Sequence, residues 1–400
     1  MKHVRKPRSS LLLVAAIACT SMIAGCGGSH PPAASEAALT RVVSSQWRQF
    51  APRLPGGLSI AVITPEGEYF ASTLNGATAD SHFRGASTTK TFTAAAIMLL
   101  QQRGQLDIDH VLSANMPGTA RPYLPATPGY AIPYKNQITI QQLLRHRGGV
   151  FDVGNKNVPA TASAPYAGLR YVDWVEDTQG DMHTYTLDEL VGVVASNQLV
   201  GGLPGEAFRY SNTGYSLLAK IVEQVSGKTF AQFVHDELLV PNGLSETSFP
   251  DDGQTQHLPA PFLEGTTRVG GTLYPTTHRN VSWGVGEGNV VTTPSDLARW
   301  FRRLLKGEAG LNAQTIARMR ECETTNEIHV SYGLGLACDP AELGTGHNGG
   351  ITGYLTTARH DTVSDVTVVV FATLLDADDL MTEGEMLYET ARQGRTALGY

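Results

Sequence analysis

Basic residues are scarce in this sequence. Its 400 residues include 30 lysines and arginines against 37 aspartates and glutamates, so the formal net charge is -7. A nucleic-acid-binding protein needs a basic surface for phosphate contacts, and this composition offers none. The 42 glycines follow no fixed period, which excludes a collagen-like or repeat architecture. With 42% hydrophobic residues, the chain has enough apolar content for one large domain or two closely packed ones.

Signature motifs of several common enzyme classes are also missing. The sequence contains no Gly-x-Ser-x-Gly elbow and no His-Glu-x-x-His metal motif. Gly227-Lys228-Thr229 is only part of a phosphate-binding loop, because Val222 occupies the position of the first glycine. We therefore expect neither a metal nor another cofactor.

The first 26 residues have the pattern of an export signal. A cationic start is followed by an apolar stretch, Leu11–Ala18, that is too short to span a bilayer. The signal ends at Ile23–Cys26, which resembles a bacterial lipoprotein box whose cysteine, Cys26, becomes lipidated. We predict a signal peptide over residues 1–26 and a lipid anchor that holds the exported protein at the cell envelope. An ordinary signal peptide is the alternative.

The segment after Cys26 begins as a tether and leads into a body with two cysteines. Residues 27–36 lack apolar periodicity and are rich in small residues and proline, so we predict a flexible tether there. The two remaining cysteines are Cys322 and Cys338. In an oxidising compartment they can form a disulfide or remain two buried thiols, and the sequence favours neither.

Periodicity predicts an α+β fold. Strand-like runs lie near both ends of the chain, whereas the middle is mostly helical. We predict one domain over residues 37–400, with an antiparallel sheet built from both ends and covered by the N- and C-terminal helices. The sheet lobe would span residues 37–104 and 265–400, and a helical second lobe would span residues 105–264. Residues 151–182 show no assignable pattern.

Individual elements follow from the same patterns. The predicted strands are Leu58–Thr64, Glu68–Thr73, Val330–Cys338, Thr352–Arg359 and Val366–Leu374. The predicted helices include Glu36–Phe50, Thr139–Arg145, Leu187–Leu199, Thr213–Val225, Phe230–Leu239, Pro294–Leu305, Asn312–Arg320 and Asp378–Gln393.

One short stretch, Gly85–Phe92, pairs a serine with a lysine. Ser87 lies three residues before Lys90, at the start of an apolar helix that ends near Arg103. Residues three apart share one face of a helix, so the lysine amine can reach the serine hydroxyl. A buried lysine with a lowered pKa can take the serine proton and produce a nucleophile. From the spacing alone, the alternative is a serine that caps the helix beside a solvated lysine.

Two later stretches carry further candidate residues. Tyr210–Asn212 precedes an amphipathic helix, and Gly346–Gly350 places His347 in a glycine-rich stretch adjoining a strand. An interface tyrosine, a helix-capping asparagine and a strand-end histidine are the structural alternatives. Similar triplets occur at Tyr134–Asn136 and His146–Gly148. We set these aside because the first lacks a following amphipathic helix and the second lies at a helix end.

The order Ser-x-x-Lys, Tyr-x-Asn, His-x-Gly resembles the motifs of the penicillin-recognising serine hydrolases. The likeness is to the branch that holds class C β-lactamases, D-alanyl-D-alanine carboxypeptidases, D-aminopeptidases and related esterases. It covers residues 40–375 and includes four connecting segments: Gly104–Asp109, Leu143–His146, Gly288–Leu297 and Tyr332–Gly335. The resemblance implies a β-lactamase/transpeptidase-like α+β fold and acyl transfer through a covalent intermediate.

The resemblance also implies a role for each motif residue. Ser87 is the expected nucleophile, and Lys90 and Tyr210 share the transfer of its proton. Tyr210 can accept a proton near neutral pH only if the Lys90 ammonium favours its ionised form. The expected oxyanion donors are the backbone N–H groups of Ser87 and Gly350. The expected substrate contacts are Asn212, His347, Asn348 and Gly349.

The third motif departs from the β-lactamase form. His347 replaces a lysine and Asn348 a threonine, and histidine is mostly neutral at pH 7. The histidine form resembles the carboxypeptidase, aminopeptidase and esterase members of the family more than the lactamases, and we predict a D-alanyl-D-alanine carboxypeptidase-like peptidase that acts on D-amino-acid peptides. The alternatives are a β-lactamase or carboxylesterase of the same family and, outside enzymes, a non-catalytic penicillin-binding sensor of the cell wall. The expected partners are a peptide, β-lactam or ester substrate and the membrane, without nucleic acid.

Overall fold

The computed structural model describes residues 32–51, 53–251, 256–325, 331–339 and 342–400. The predicted signal peptide, Cys26 and its lipid anchor lie outside these residues. The predicted tether extends too far, because helix α1 (Pro32–Phe50) begins before residue 36. None of the helices in the described part is long and apolar enough to cross a membrane.

An antiparallel sheet with strands from both ends of the chain forms the centre of the fold, as predicted. The strand Leu58–Thr64 near the N-terminus pairs with Val366–Ala372 near the C-terminus. Within the described residues, the sheet consists, in spatial order, of β2 (Gly67–Ser72), β1 (Leu58–Thr64), β12 (Val366–Ala372), β11 (Tyr354–Asp361), β10 (Gly344–Ile351), β9 (Ala337–Asp339), β8 (Ser331–Tyr332) and β7 (Glu323–Thr324).

Two smaller sheets accompany the main one. β3 (Phe83–Ala86) pairs with β6 (Val290–Thr292), and β4 (Thr266–Val269) lies between β5 (Thr272–Pro275) and β13 (Leu374–Asp376). The sequence analysis predicted none of the strands β3 to β6, because each is too short to show an alternating pattern.

The central strands of the main sheet are buried on both faces. In β1, Ile60 and Val62 face α1 and α11 (Leu380–Ala397), whereas Ala61 faces the main core, to which α9 (Pro294–Leu305) contributes. Side chains alternate between the faces of a strand, so a continuous apolar strand needs cover on both sides. The N- and C-terminal helices provide this cover on one side, as predicted.

The other helices of the described residues build most of the middle of the chain. Helix α9 has the predicted bounds, because the Thr293 side chain caps it and Pro294 supplies its first residue. Another helix, Tyr171–Gln179, lies in the stretch 151–182 that periodicity left unassigned. Apart from short 3-10 and π turns, the remaining helices are α2 (Thr89–Gln102), α3 (Ile140–Leu144), α4 (Tyr171–Gln179), α5 (Leu187–Asn197), α6 (Asn212–Ser226), α7 (Phe230–Val234), α8 (Val240–Asn242) and α10 (Ala313–Met319).

Helix α2 is the element that places the candidate nucleophile. All its residues from Thr89 to Leu100 are buried. It packs against α6 and α7, and Phe92 stacks on Trp300 of α9 with ring centroids 4.0 Å apart. Trp300 Nε1–H also donates to the Thr91 hydroxyl. The first turn of α2 is therefore held between the helices of the middle segment and the helix that covers the sheet.

The glycine-rich third motif forms strand β10, whereas we predicted that it adjoins a strand. The glycines of Gly344–Ile351 hide the strand signal. At two positions, close approach of another backbone requires glycine. A Cβ at Gly346 would lie 1.9 Å from the Ala358 carbonyl oxygen, and one at Gly349 would lie 2.6 Å from the Gly85 carbonyl oxygen. Glycine inside a strand often marks such an approach.

Cys322 and Cys338 are joined by a disulfide, so the structure decides the alternative that the sequence left open. Cys322 immediately precedes β7, and Cys338 lies in β9. The bond therefore ties together strands at one edge of the main sheet.

Candidate active site

Ser87 and Lys90 meet at the start of α2. A turn leads from β3 into the helix, with the Thr88 N–H donating to the Gly85 carbonyl and the Lys90 N–H to the Ser87 carbonyl. Lys90 Nζ lies 3.1 Å from Ser87 Oγ. Lys90 is fully buried, which rules out the alternative of a solvated lysine beside a capping serine.

Two hydrogen bonds orient the Lys90 nitrogen so that its third tetrahedral direction faces Ser87. Nζ donates to Asn212 Oδ1 and to the Glu287 carbonyl oxygen, each at 2.7 Å. The lysine nitrogen can donate one N–H to each of these two oxygens whether it is charged or neutral. At the third position, an ammonium donates to Ser87 Oγ, whereas a neutral amine points its lone pair at the hydroxyl and can accept its proton.

Burial makes Lys90 a usable base. It lowers the pKa of Lys90 to about 8, and the nearby carboxyl groups of Glu287 and Asp152 oppose the change. Both acids are themselves buried. Burial raises the pKa of Glu287 to about 8 and also raises the pKa of Asp152. Lys90 therefore lies in a small buried cluster of ionisable groups.

Tyr210 approaches the same pair from the loop before α6. Its ring centroid lies 4.9 Å from Lys90 Nζ, and its hydroxyl has a hydrogen-bonding interaction with Ser87. Burial raises the pKa of Tyr210 well above its usual range. The condition for Tyr210 to accept a proton near neutral pH, an ionised form favoured by the Lys90 ammonium, is therefore not met. The phenol stays protonated, and it is suited to relay a proton rather than to serve as the resting base.

Asn212 is the first residue of α6, and its side chain serves Lys90 rather than the helix end. Ser211 caps the helix instead, because its Oγ accepts the Gly214 N–H at 3.1 Å. Asn212 Oδ1 accepts from Lys90. The Nδ2 group is then the part of Asn212 that can donate to a substrate carbonyl.

His347 uses both ring nitrogens within the protein. Nδ1–H donates to the Asn348 carbonyl oxygen, and Nε2 lies 2.8 Å from the Tyr332 hydroxyl. A carbonyl oxygen can only accept, so the first bond places a proton on Nδ1, and in the neutral ring Nε2 then accepts from Tyr332. Burial, assisted by Lys90, lowers the pKa of His347 to about 3. The ring therefore has a supporting position between Tyr332 and β10, and His347 also borders the cavity, so the substrate contact at His347 stays a prediction.

Asn348, the next residue of β10, is exposed and has a fixed amide orientation. Its Oδ1 accepts from Thr357 Oγ1 and from Arg359 Nη2, each at 2.8 Å. Its Nδ2 group lies 3.4 Å from the Tyr388 hydroxyl and can donate further. Asn348 therefore offers a substrate a neutral donor, while the charge of Arg359 lies buried behind it.

Gly349 and Gly350 bring β10 against Ser87. A Cβ at Gly349 would lie 2.9 Å from Ser87 N, so only glycine permits this approach. A two-residue turn joins β10 to β11 and is closed by the pair Ile351 and Tyr354. Bonded and unbonded pairs alternate from there, which directs the Gly350 N–H away from β11. Ser87 and Gly350 border the same cavity, as two oxyanion donors must.

A cavity of about 370 Å³ collects these groups. Lys90 lies directly behind the cavity and is hydrogen-bonded to Ser87. The predicted site residues that line the cavity are Ser87, Tyr210, Asn212, His347, Asn348, Gly349 and Gly350. Much of the remaining wall is apolar or aromatic and comes from Phe208, Trp283, Tyr332, Ile351, Leu355 and Leu380.

The sequence analysis missed two acids of the site. Glu287 stands between two glycines just before a segment noted only for its family likeness, and Asp152 lies in the stretch that periodicity left unassigned. A single acid has no spacing signal, so only its position in a glycine-rich, otherwise apolar run distinguishes Glu287. These acids do not form a metal site: among the described residues, no group of three or more His, Cys, Asp or Glu side chains could hold a metal ion.

The two triplets that the sequence analysis set aside differ in how close they lie to the site. Tyr134–Asn136 is not among the residues that line the cavity. His146, by contrast, packs against Tyr210 with ring centroids 4.1 Å apart. The sequence analysis did not predict this contact, because only the fold brings the end of α3 next to the loop before α6.

Comparisons with known proteins begin with the sequence. The family model described as "Beta-lactamase" matches residues 48–389. Penicillin-binding protein 4* of Bacillus subtilis (strain 168) is 27% identical over 291 residues, which are 69% of this chain and 57% of that protein. A putative D-alanyl-D-alanine carboxypeptidase of Escherichia coli (strain K12) is 26% identical over 273 residues, which are 62% of this chain and 57% of that protein. The chain thus spans little more than half the length of these relatives.

A solved structure with the same architecture is that of a D-stereospecific amidohydrolase from Streptomyces sp. Its TM-score is 0.72 at 22% sequence identity, and the match covers 90% of this chain and 98% of that chain. This likeness confirms the predicted β-lactamase/transpeptidase-like fold. Because the family model spans most of the sequence and includes all three motifs, the chain belongs to the beta-lactamase family.

Proposed function

We propose that this protein is a serine hydrolase that cleaves D-amino-acid peptides through an acyl-enzyme, as a D-alanyl-D-alanine carboxypeptidase-like peptidase. The observation that carries the proposal is the geometry at Lys90. Lys90 Nζ donates to the Asn212 side chain and to the Glu287 backbone carbonyl, and its third tetrahedral direction faces Ser87. The carboxypeptidase and penicillin-binding relatives and the D-stereospecific fold neighbour support the substrate class.

The first half of the reaction forms the acyl-enzyme. Ser87 Oγ attacks the scissile carbonyl carbon while its proton passes to the neutral Lys90 amine. The carbonyl oxygen becomes an oxyanion that the N–H groups of Ser87 and Gly350 stabilise. The C–N bond then breaks. The leaving nitrogen takes the Tyr210 phenol proton, and Lys90 returns a proton to Tyr210.

The second half of the reaction releases the acid. Water attacks the ester on Ser87, and its proton moves to Lys90, directly or through Tyr210. The ester C–O bond breaks, Ser87 Oγ regains a proton from Lys90, and the carboxylic acid product leaves. Each proton returns to its starting group, so the enzyme is unchanged after one turnover.

The donor beside the nucleophile favours a second candidate activity, on neutral amides or esters. Asn348 offers an uncharged amide, and His347 is neutral and already bonded within the protein. A terminal carboxylate would receive a hydrogen bond rather than a full ion pair, with the Arg359 charge one layer deeper. We therefore expect weaker discrimination between free carboxylate and amide or ester termini than a lysine in this position would give.

Fluorescent penicillin labelling and turnover assays test the proposal together. Wild type and Ser87→Ala are labelled, and hydrolysis of a D-Ala-D-Ala peptide, a D-amino-acid amide, a cephalosporin and a short-chain ester is measured. We expect labelling and peptide turnover in wild type and neither in Ser87→Ala. His360→Asn, which replaces a buried histidine paired with Thr367 away from the cavity, is the folding control and should keep both activities.

The results separate the proposal from its alternatives. Labelling that survives in Ser87→Ala would contradict the nucleophile assignment. Fast turnover of the cephalosporin or the ester without peptide cleavage would support the β-lactamase or esterase instead. Stable labelling without turnover of any substrate would support the non-catalytic sensor.

We also propose that the protein is exported and held at the cell envelope by a lipid on Cys26. The cationic start, the short apolar stretch and the lipoprotein-like box support this. Cys26→Ala should move the protein from the membrane fraction to the soluble fraction, as measured by immunoblotting of fractionated cells. An unchanged membrane fraction would count against lipidation, and Cys19→Ala is the matched control that should leave the distribution as in wild type.

A further inference from the structure

His146 occupies an unusual backbone position next to Tyr210. It follows α3 with a φ of 54°, in the left-handed region that favours glycine and asparagine. Its side chain is buried, with 2% of the residue exposed. A non-glycine residue held in this conformation is a reason to look for a role in the site.

His146 binds the backbone on both sides of Tyr210. Its carbonyl oxygen accepts the Arg209 N–H at 2.7 Å, and its Nδ1 accepts the Ser211 N–H at 3.1 Å. One residue therefore holds the peptide groups before and after the tyrosine. Ser211 in turn caps α6, so the same bonds also set the start of that helix, where Asn212 binds Lys90.

The His146 ring supports the face of Tyr210. Their planes are inclined by 30° and their centroids are 4.1 Å apart. Tyr215 and Tyr332 pack around the imidazole at 4.9 and 5.0 Å. Aromatic pairs at such distances favour one relative orientation, so the tyrosine ring has a rigid backing.

The protonation state of His146 follows from its bonds. Because Nδ1 accepts from Ser211, the neutral ring carries its proton on Nε2, and Nε2 has no hydrogen-bond partner within the described part of the chain. Burial lowers the pKa of His146 well below its usual range, and Lys90 and His347 add to this. The ring therefore stays neutral, and Nδ1 stays an acceptor.

We propose that His146 is a positioning residue that holds Tyr210 where it can relay the proton between Lys90 and the leaving group. This inference rests on the proposed function, because that function assigns the relay to Tyr210. His146 touches no reacting atom and acts through the ring and backbone of the tyrosine. The triplet His146–Gly148, which matches the third motif and was set aside, thus supports Tyr210 of the second motif.

Two substitutions separate the acceptor from the backbone conformation. Glycine and asparagine both tolerate a positive φ, but only asparagine keeps an acceptor, since its Oδ1 stands close to the place of Nδ1. A small misplacement of a catalytic group costs up to about 100-fold. We therefore expect His146→Gly to lower kcat about 10- to 100-fold with little change in KM, and His146→Asn to recover most of that loss.

A double-mutant cycle with Tyr210 tests whether the effect passes through the tyrosine. If His146 acts only by placing Tyr210, His146→Gly should cost less than about 3-fold in a Tyr210→Phe background, since the relay is already lost. His360→Asn, the loss of another buried histidine, should leave kcat unchanged in both backgrounds. An equal cost of His146→Gly with and without the tyrosine hydroxyl would overturn the proposal, as would wild-type kcat in the folded glycine variant.

A measurement independent of activity keeps this inference distinguishable from the proposed function. In nitrogen-15 NMR spectra at pH 7, His146 should show an unprotonated Nδ1 and a protonated Nε2. The Ser211 amide should exchange with solvent at least about 10-fold faster in His146→Gly than in wild type or His146→Asn, with the amides of β12 unchanged. The opposite tautomer, or equal Ser211 exchange in all three proteins, would refute the positioning role even if Ser87 is never acylated.

Discussion

Glu287 and Glu383 are both buried, and burial raises the pKa of each to about 8, but their surroundings differ. Glu287 lines the cavity, lies near Lys90 and Asp152, and accepts from the Ser216 hydroxyl at 3.3 Å. Glu383 lies in the first turn of α11, where its Oε2 accepts the Asp376 N–H at 2.7 Å.

The comparison shows what a perturbed pKa does and does not indicate. Glu383 has one carboxyl oxygen without a hydrogen-bond partner in the described residues, and it is not among the residues that line the cavity. Glu287 shares its environment with the proposed nucleophile, Ser87, and the proposed base, Lys90. Burial alone is enough to raise a carboxyl pKa, so the shift marks a functional site only where reactive groups and space for a substrate accompany it.

The largest expected difference between the two regions is the loss of activity that follows when the cation of each region is removed. Lys90→Met should lower kcat/KM at least about 1000-fold, because it removes the base that accepts the Ser87 proton. Arg268→Met removes the cation 2.9 Å from Asp376, in the region of Glu383, and should change kcat/KM less than about 2-fold. Steady-state kinetics on whichever substrate the turnover assays identify provide the measurement. Comparable losses in the two variants would remove the distinction between the clusters.

The pH dependence of activity should separate the two glutamates more finely. Only the neutral Lys90 amine can accept a proton, so kcat/KM should rise with pH through about 8, the pKa of Lys90. The Glu287 carboxylate favours the charged lysine and raises this pKa. Glu287→Gln should therefore move the rising limb to lower pH, while the backbone carbonyl of residue 287 still accepts from Lys90.

The matched control for that profile is Glu383→Gln, which should leave the limb where it is in wild type. Both profiles are measured as kcat/KM between pH 5 and pH 10, with stability checked at each end. A limb that moves to higher pH in Glu287→Gln, or that moves equally in both variants, would contradict the assignment of Glu287 to the Lys90 environment.

The smallest expected effect is on how the stability of the folded protein changes with pH, through the ionisation of Glu383. Its folded-state pKa lies above its ordinary value of 4.5, so the folded protein binds the proton more tightly than the unfolded chain. The contribution is complete below about pH 4.5 and is lost as pH rises through about 8. Glu383→Gln, which cannot ionise, should gain in stability relative to wild type over that window. Thermal unfolding of both proteins at pH 5 and pH 9 measures this, and a difference that shrinks with pH would contradict it.

Local patterns in the sequence were enough for the main features of the fold. The caps of α9 are local, so its bounds were predictable from Thr293 and Pro294. The β-branched run of β12 identified a strand, because β-branched residues are enriched in strands. Strand β10 was not predictable, since its glycines are there to admit the backbones of Gly85 and Ala358, and neither neighbour is close in sequence.

The site divides in the same way. Ser87 and Lys90 are one turn apart, and Tyr210 and Asn212 stand beside a recognisable helix start, so spacing, order and the family resemblance selected them as candidates. Tertiary packing alone decided which groups surround Lys90, since Asn212 and Glu287 come from distant segments. It also decided that His347 is neutral and internally bonded and that His146 backs Tyr210, because burial and partner choice set a protonation state and neither can be read from neighbours in the chain.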